Sequence, residues 1–349
     1  MGPISFGDAT RGQNKVVPAG RVAEFLVRVF ESAGTPDFIA RVVADHLVCA
    51  DLCGCDSHGV IQTTHYLDKV KAGVIIPAAM PTIVSRRGAA ATVDAHNGWG
   101  LYVGNYATDL AVEMAMSTGI GAVSIRNCDD IGRLGDYVEK AADRAFVGFV
   151  LVGPGRPATR GAPLSRLRLA VPNGEAIKTL GTNSIAVGIP TGDEASLVAE
   201  FMIPVYQDRD QAFPRGVLLD SHDLAVTNLA DYMDAYSLSL LTCLLGCLTG
   251  SCELDTVDMD GPFFVVIDPG AFWPRERFQA GIRSFLDRME TTPLAPRYSA
   301  VLVPRDFEAP SRPHRHVEGI ELSPVVQRAL HAAAEDFGVL FDSFRDIFE

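Results

Sequence analysis

The sequence predicts a mixed α/β fold, a mixed sheet with flanking helices, and three observations carry that expectation. Short β-branched runs alternate with helical periodicity through the middle of the chain. The stretch before it, by contrast, reads as helix only. And no glycine fingerprint of G-x-G-x-x-G type follows a strand and opens a helix, so a Rossmann turn is excluded; the nearest cluster, "GPGRPATRG", leads into no helix.

Taken in order, residues 1–16 read as a flexible tail and 17–349 as one continuous chain in three parts. The part from 17 to 80 is helical. Val22, Phe25, Leu26, Val29 and Phe30 keep helical spacing up to Gly34. Thr35-Pro36 supplies a cap and a Pro start for a second helix, with Ile39, Val42, Val43 and Leu47 inward. That helix runs into "ADLCGCDSHGV", Ala50 to Val60, and "HYLDKVKAG" is a third helix ending at Gly73. The central part, about 90–270, is α/β. "AATVDA" is a strand, Tyr102 to Thr118 a helix stopped by Gly119, and "GAVSIRN" a strand that leads into the loop and helix of "CDDIGRLGDYVEKAADR". "VGFVLVG", "TNSIAVGIP" and "PFFVVIDP" are further strands, and "GPGRPATRGAPLSRLRL" is a surface loop. From 271 to 349, helices at Arg275–Met289 and Ser323–Ala334 flank the strand "YSAVLVP" and pack back on the rest.

Composition bounds the function. The chain has 349 residues with 48% hydrophobic and 21% charged side chains, as a packed globular protein does. A formal net charge of −13 argues against a nucleic-acid partner. The longest apolar run, "LSLLTCLLGCLTG", is too short to span a bilayer and no signal sequence opens the chain, so a cytoplasmic protein without membrane attachment is expected. The seven cysteines form no disulfide framework, and Cys53 and Cys55 lack the second pair that a zinc site needs; no metal is expected.

Eight segments in order, "ADLCGCDSHGV", "YLDKVKAGVIIP", "VDAHNGWG", "GIGAVSIRN", "LGTNSIAVGIP", "LLGCLTGS", "GPFFVVIDP" and "VEGIELSP", resemble the malate/L-lactate dehydrogenase family. These are non-Rossmann NAD(P)-dependent reductases of 2-oxo acids and cyclic imines. The resemblance implies their α/β fold, a homodimer, and a proton-donating histidine, here His58. Histidine is the side chain most easily poised to exchange a proton near neutral pH. The residues also allow a blander reading, a buried structural histidine beside a capping Asp-Ser.

The chain departs from the family pattern. Gln62 stands where the family has an arginine for the substrate carboxylate, and a neutral amide cannot supply that bidentate charged pair. Asp130 replaces a second histidine. The connection from Glu200 to Tyr236 is short, and Asp234 falls where a phosphate-binding lysine is usual. Ser184 replaces a proline. From these losses the expected function is a repurposed enzyme. It has given up hydride transfer, binds no cofactor, and runs acid/base or shape-directed chemistry (isomerisation, dehydration, cyclisation or a pericyclic step) on a small or natural-product-like molecule. His58 and Asp130 are its catalytic candidates, and Ser57, Gln62, Asn127, Thr182 and Asn183 its substrate-binding candidates. The alternative is a divergent reductase using NADPH or NADH, held by Thr182, Asn183 and Arg126, with Arg133 or Lys178 as further phosphate ligands. A non-catalytic homologue is the third reading.

Overall fold

The computed structural model describes residues 14–153, 183–203 apart from 193 and 194, 261–293, 315–339 apart from 316, and short pieces between 205 and 257. The main elements are β1 (Lys15–Val17), α1 (Ala19–Ser32), α2 (Asp37–Leu52), 3-10 turns at Asp56–His58 and Val60–Gln62, and α3 (Thr63–Lys71). Next come β2 (Thr82–Arg87), β3 (Ala90–Asp94), α4 (Gly100–Thr118), β4 (Ile120–Arg126), α5 (Gly135–Ala142) and β5 (Val147–Val152). They are followed by β6 (Asn183–Ile189), β7 (Leu197–Ile203), β8 (Phe263–Ile267), α6 (Arg275–Glu290), β9 (Ile320–Leu322) and α7 (Pro324–Asp336). Two compact units result, one from 1–79, 97–102 and 302–349, the other from 80–96 and 103–301.

The first unit is built on α1 and α2. The apolar stripe of α1, Val22, Phe25, Leu26, Val29 and Phe30, is fully buried, as are Ile39, Val43 and Leu47 of α2; Val42 is only half-buried. Side chains of this size contribute about 1.5–3 kcal/mol each on leaving water. Trp99 completes the core, edge-on to Phe30 with ring centroids 5.0 Å apart. Its indole N–H donates to Thr35 Oγ1 at 3.0 Å. Thr35 therefore does not cap α2: its hydroxyl satisfies a buried indole, and the fixed φ of Pro36 starts the helix. β1 pairs antiparallel with β9, Lys15 opposite Leu322. Ser323 caps α7 through Oγ, which accepts from Val326 N–H.

The second unit is a seven-stranded mixed sheet in the order β2-β3-β4-β8-β5-β6-β7, parallel between β3 and β4 and antiparallel elsewhere. Its core joins Val93, Val123, Ile125, Val150 and Phe264 of the sheet to Ala107, Ala111, Met114, Tyr137 and Val138 of α4 and α5. The strands expected from sequence lie where the β-branched runs put them. β2 was not legible, because all six of its residues are exposed on an edge strand and no alternation marks it. The loop expected at 153–169 apart from Gly153, the strand at "YSAVLVP" and most of the apolar run "LSLLTCLLGCLTG" lie outside the described residues.

Candidate functional site

The motif "ADLCGCDSHGV" is a helix stop followed by a tight double turn. α2 ends in a Schellman arrangement: Gly54 N–H donates to Asp51 O at 3.0 Å and Cys55 N–H to Ala50 O at 2.9 Å. Gly54 has φ +81°, the left-handed conformation that glycine adopts without strain. Cys53, the buried C-cap residue, and Cys55, the donor to Ala50 O, flank this glycine. Among the described residues no group of three His, Cys, Asp or Glu side chains could hold a metal ion.

The two 3-10 turns are tied from several sides. His58 N–H donates to Cys55 O at 2.9 Å and Gln62 N–H to Gly59 O at 3.0 Å. Thr63 Oγ1 donates to Val60 O at 2.7 Å. The Gln62 amide reaches back across the turn and donates to Ser57 O at 2.7 Å. Gln62, expected on the substrate, thus closes the loop that carries His58. His58 itself is half-buried. Its Nδ1 lies 3.1 Å from Ser57 Oγ, and Nε2 makes no hydrogen bond among the described residues.

Beneath the turns sits a carboxyl that the sequence reasoning missed. Asp51, on the last turn of α2, is 4% exposed, and its Oδ2 accepts from Val60 N–H at 2.9 Å. Burial pushes its pKa up to about 7; the Val60 N–H works against that rise, Asp56 adds to it and Arg315 opposes it. Arg315 comes from the C-terminal part of the chain, donates to the Asp51 carbonyl, and pairs with Asp56 Oδ1 at 2.6 Å. A cation at the end of a helix also complements its dipole. Nothing in the sequence motif announces Asp51 as different from any acidic residue near a helix end. The only signal is Gly59, where the backbone comes too close to the carboxyl for any side chain: a Cβ there would lie 2.0 Å from Asp51 Oδ1.

In the second unit, the ends of β3 and β4 make a different cluster. Asp94, 5% exposed, faces Arg126 across the strands. Arg126 Nε donates to Asp94 Oδ2 at 2.9 Å, and Asn127 Nδ2 lies 3.0 Å from both carboxylate oxygens. Burial alone would raise the Asp94 pKa, but the bonds from Asn127, the His96 N–H and Arg126 hold it below the usual carboxylate value. Asn127, expected on the substrate, has its side-chain N–H groups on Asp94 and its backbone at φ +51°. Arg126 is 40% exposed at the side chain, with its terminal nitrogens beyond the Asp94 contact. Such a donor set fits one anionic group, a phosphate for example.

The loop after β4 is also tied down. Asp130 is exposed, and its Oδ1 accepts from Gly132 N–H at 2.9 Å, an Asx turn. Arg133 is no phosphate ligand: it is 1% exposed and its guanidinium pairs with Asp136. Glu200 of β7 accepts from Leu134 N–H at 3.3 Å and Gly135 N–H at 3.0 Å, anchoring the start of α5. His58, Ser57 and Gln62 belong to the first unit, and Arg126, Asn127 and Asp130 to the second. Thr182 and Lys178 lie outside the described residues, and Asn183 opens β6.

Comparison with known proteins sets this geometry in context. A family model described as malate/L-lactate dehydrogenase matches residues 17–331. The chain is 28% identical to a malate dehydrogenase of Pyrococcus horikoshii over 93% of its own length and 96% of the relative's. It is 26% identical to a malate/(S)-sulfolactate dehydrogenase of Methanothermus fervidus, covering 90% and 96%. The solved structure of the Pyrococcus horikoshii malate dehydrogenase superposes with a TM-score of 0.79 at 26% identity, covering 97% of this chain and 99% of that one. These likenesses overturn three expectations. An enzyme repurposed for isomerisation, dehydration or cyclisation is not supported, since the relatives are dehydrogenases along nearly their whole length. The non-redox class falls with it, and so does the expectation of no cofactor, because dehydrogenases of this family use NAD(P)H. The physical reason for the error is visible at two of the departures. Gln62 and Asp130 have local work in holding turns, so their identities do not report a lost hydride-transfer site.

Proposed function

Because this chain belongs to the malate/L-lactate dehydrogenase family, we propose that it is an NAD(P)-dependent dehydrogenase. Its reaction interconverts a small 2-hydroxy acid and its 2-oxo acid, with His58 as the proton donor. The observation that carries the role of His58 is its presentation. Nδ1 is held by Ser57 Oγ while Nε2 is left without a partner among the described residues. With Nδ1–H donating to the Ser57 hydroxyl oxygen, Nε2 is the nitrogen that exchanges a proton: the imidazolium gives its Nε2 proton and the neutral ring keeps its hydrogen on Nδ1. His58 then gives a proton to the substrate oxygen as a carbonyl becomes an alcohol, and takes it back in the oxidative direction. When bound, the nicotinamide supplies or accepts the hydride. Arg126 would hold one of the cofactor's phosphates through its terminal N–H groups, with Thr182 and Asn183 as further candidate contacts.

The name of the Pyrococcus horikoshii relative, malate dehydrogenase, points to malate as the first substrate to try. The test mixes purified protein with NADH or NADPH and oxaloacetate, pyruvate or sulfopyruvate, and follows nicotinamide absorbance. Oxidation of either nucleotide with one of these acids is expected. No turnover, together with no binding of either nucleotide by calorimetry, would defeat the reading. We also take the protein to be a cytoplasmic homodimer that binds neither nucleic acid nor membrane. Among the described residues no helix is long and apolar enough to cross a bilayer. Light scattering should give twice the monomer mass, and a monomer at assay concentration would contradict the dimer.

A further inference from the structure

We propose that Asp51 is a positioning residue for this reaction: its carboxyl, seated under Gly59 and accepting the Val60 N–H, fixes the spacing of the two 3-10 turns and so fixes where His58 stands. The inference rests on His58 being the proton donor, as proposed above. Four features support it. Asp51 is buried, at 4% exposure, at the end of a helix whose stop is itself set by Gly54. Its Oδ2 holds the amide that opens the second turn, two residues beyond His58. A Cβ at Gly59 would meet Asp51 Oδ1 at 2.0 Å, so the backbone between the turns rests directly on the carboxyl. Finally, Arg315 grips both the Asp51 carbonyl and Asp56, so the end of the helix and the start of the first turn move together. The charged groups acting on Asp51 are Asp56 from the first turn and Arg315 from the C-terminal segment; the second turn, Val60–Gln62, offers none.

What the turns need from Asp51 is an acceptor of the right shape, and asparagine supplies one. Asp51→Asn therefore keeps the Val60 hydrogen bond, while Asp51→Ala removes it. Asp51→Leu removes it and fills the space, in case the alanine variant fails to fold. Two measurements are made on each variant. In the protein without substrate, hydrogen exchange at the Val60 amide and the ring 15N signals of His58 report the turn directly. In Asp51→Asn, Val60 stays protected; in Asp51→Ala or Asp51→Leu, protection is lost and the His58 signals shift. With reduced nicotinamide and the 2-oxo acid substrate, Asp51→Ala or Asp51→Leu lowers kcat by roughly ten- to a hundredfold, since small misplacements of a reacting group cost that much. KM stays within about twofold, because the donor acts in the transition state. Asp51→Asn stays close to wild type.

Unchanged Val60 protection and His58 signals in Asp51→Ala and Asp51→Leu would overturn the proposal. So would an Asp51→Asn variant as impaired as the alanine one, because the charge and not the acceptor would then matter. Absence of turnover in wild type defeats the dehydrogenase reading instead, and the exchange and ring signals still decide whether Asp51 sets the turn.

Discussion

Replacing Asp51 by asparagine should change how the stability of the protein depends on pH. In the folded state burial raises the Asp51 pKa from 3.8 to about 7. The group therefore binds its proton more tightly folded than unfolded. Its stabilising contribution is fully present below about pH 4. It falls as the unfolded chain ionises and the folded one does not, and it is gone once the pH passes about 7. Each tenfold gain in proton affinity corresponds to about 1.4 kcal/mol, so a rise from 3.8 to about 7 amounts to about 4 kcal/mol across that window. Asparagine keeps the shape and the acceptor for Val60 N–H but cannot ionise. The stability of Asp51→Asn minus that of wild type should therefore rise by about 4 kcal/mol between pH 4 and pH 8, with the variant the more stable at pH 8. Urea unfolding at matched ionic strength across this range measures the difference, and taking it between two proteins cancels the carboxylates they share. A difference constant to within about 0.5 kcal/mol over the range would refute the reasoning, since Asp51 would then titrate alike folded and unfolded.

Three other substitutions test neighbouring contacts. His58→Ala should cost at least about a hundredfold in kcat while circular dichroism shows an unchanged fold; near-full activity would remove His58 from the chemistry. Gly59→Ala should destabilise by about 1–3 kcal/mol in urea unfolding, because the new methyl meets the Asp51 carboxyl at 2.0 Å. Glu200→Ala strips the acceptor from the Leu134 and Gly135 N–H groups and should cost about 1–3 kcal/mol, read in the same way.

The parts of the fold that a sequence shows well are those where side-chain period reports burial. The stripe of α1 and the runs of β3, β4, β5 and β8 are of this kind. β2 carries no such report, because an exposed edge strand puts neither face in a core. His58 draws attention in the sequence because its neighbours form a recognisable string. Asp51 does not, since what sets it apart is an amide nine residues on and an arginine 264 residues on, neither visible as a local pattern. Thr35 shows the same limit: a Thr-Pro pair reads as a cap, yet its hydroxyl answers a tryptophan 64 residues away. The inference from Gln62 and Asp130 to a lost activity failed for a related reason. A residue's type is local information, whereas its task depends on which backbone group lies within reach.

The clamp on the His58 turn joins segments that lie far apart in the chain. Asn14 bonds Glu321 across 307 residues, β1 has no strand partner other than β9 among the described residues, and Arg315 arrives just before β9 to seize the end of α2. A ribosome adding about 5–20 residues each second needs roughly 15–60 s to supply that partner after β1 emerges. Through that interval α1 and α2 can form and pack, but the loop bearing His58 lacks its guanidinium lock. The nascent chain thus carries His58 long before its turn is held in place, and a stretch translated much later completes the clamp.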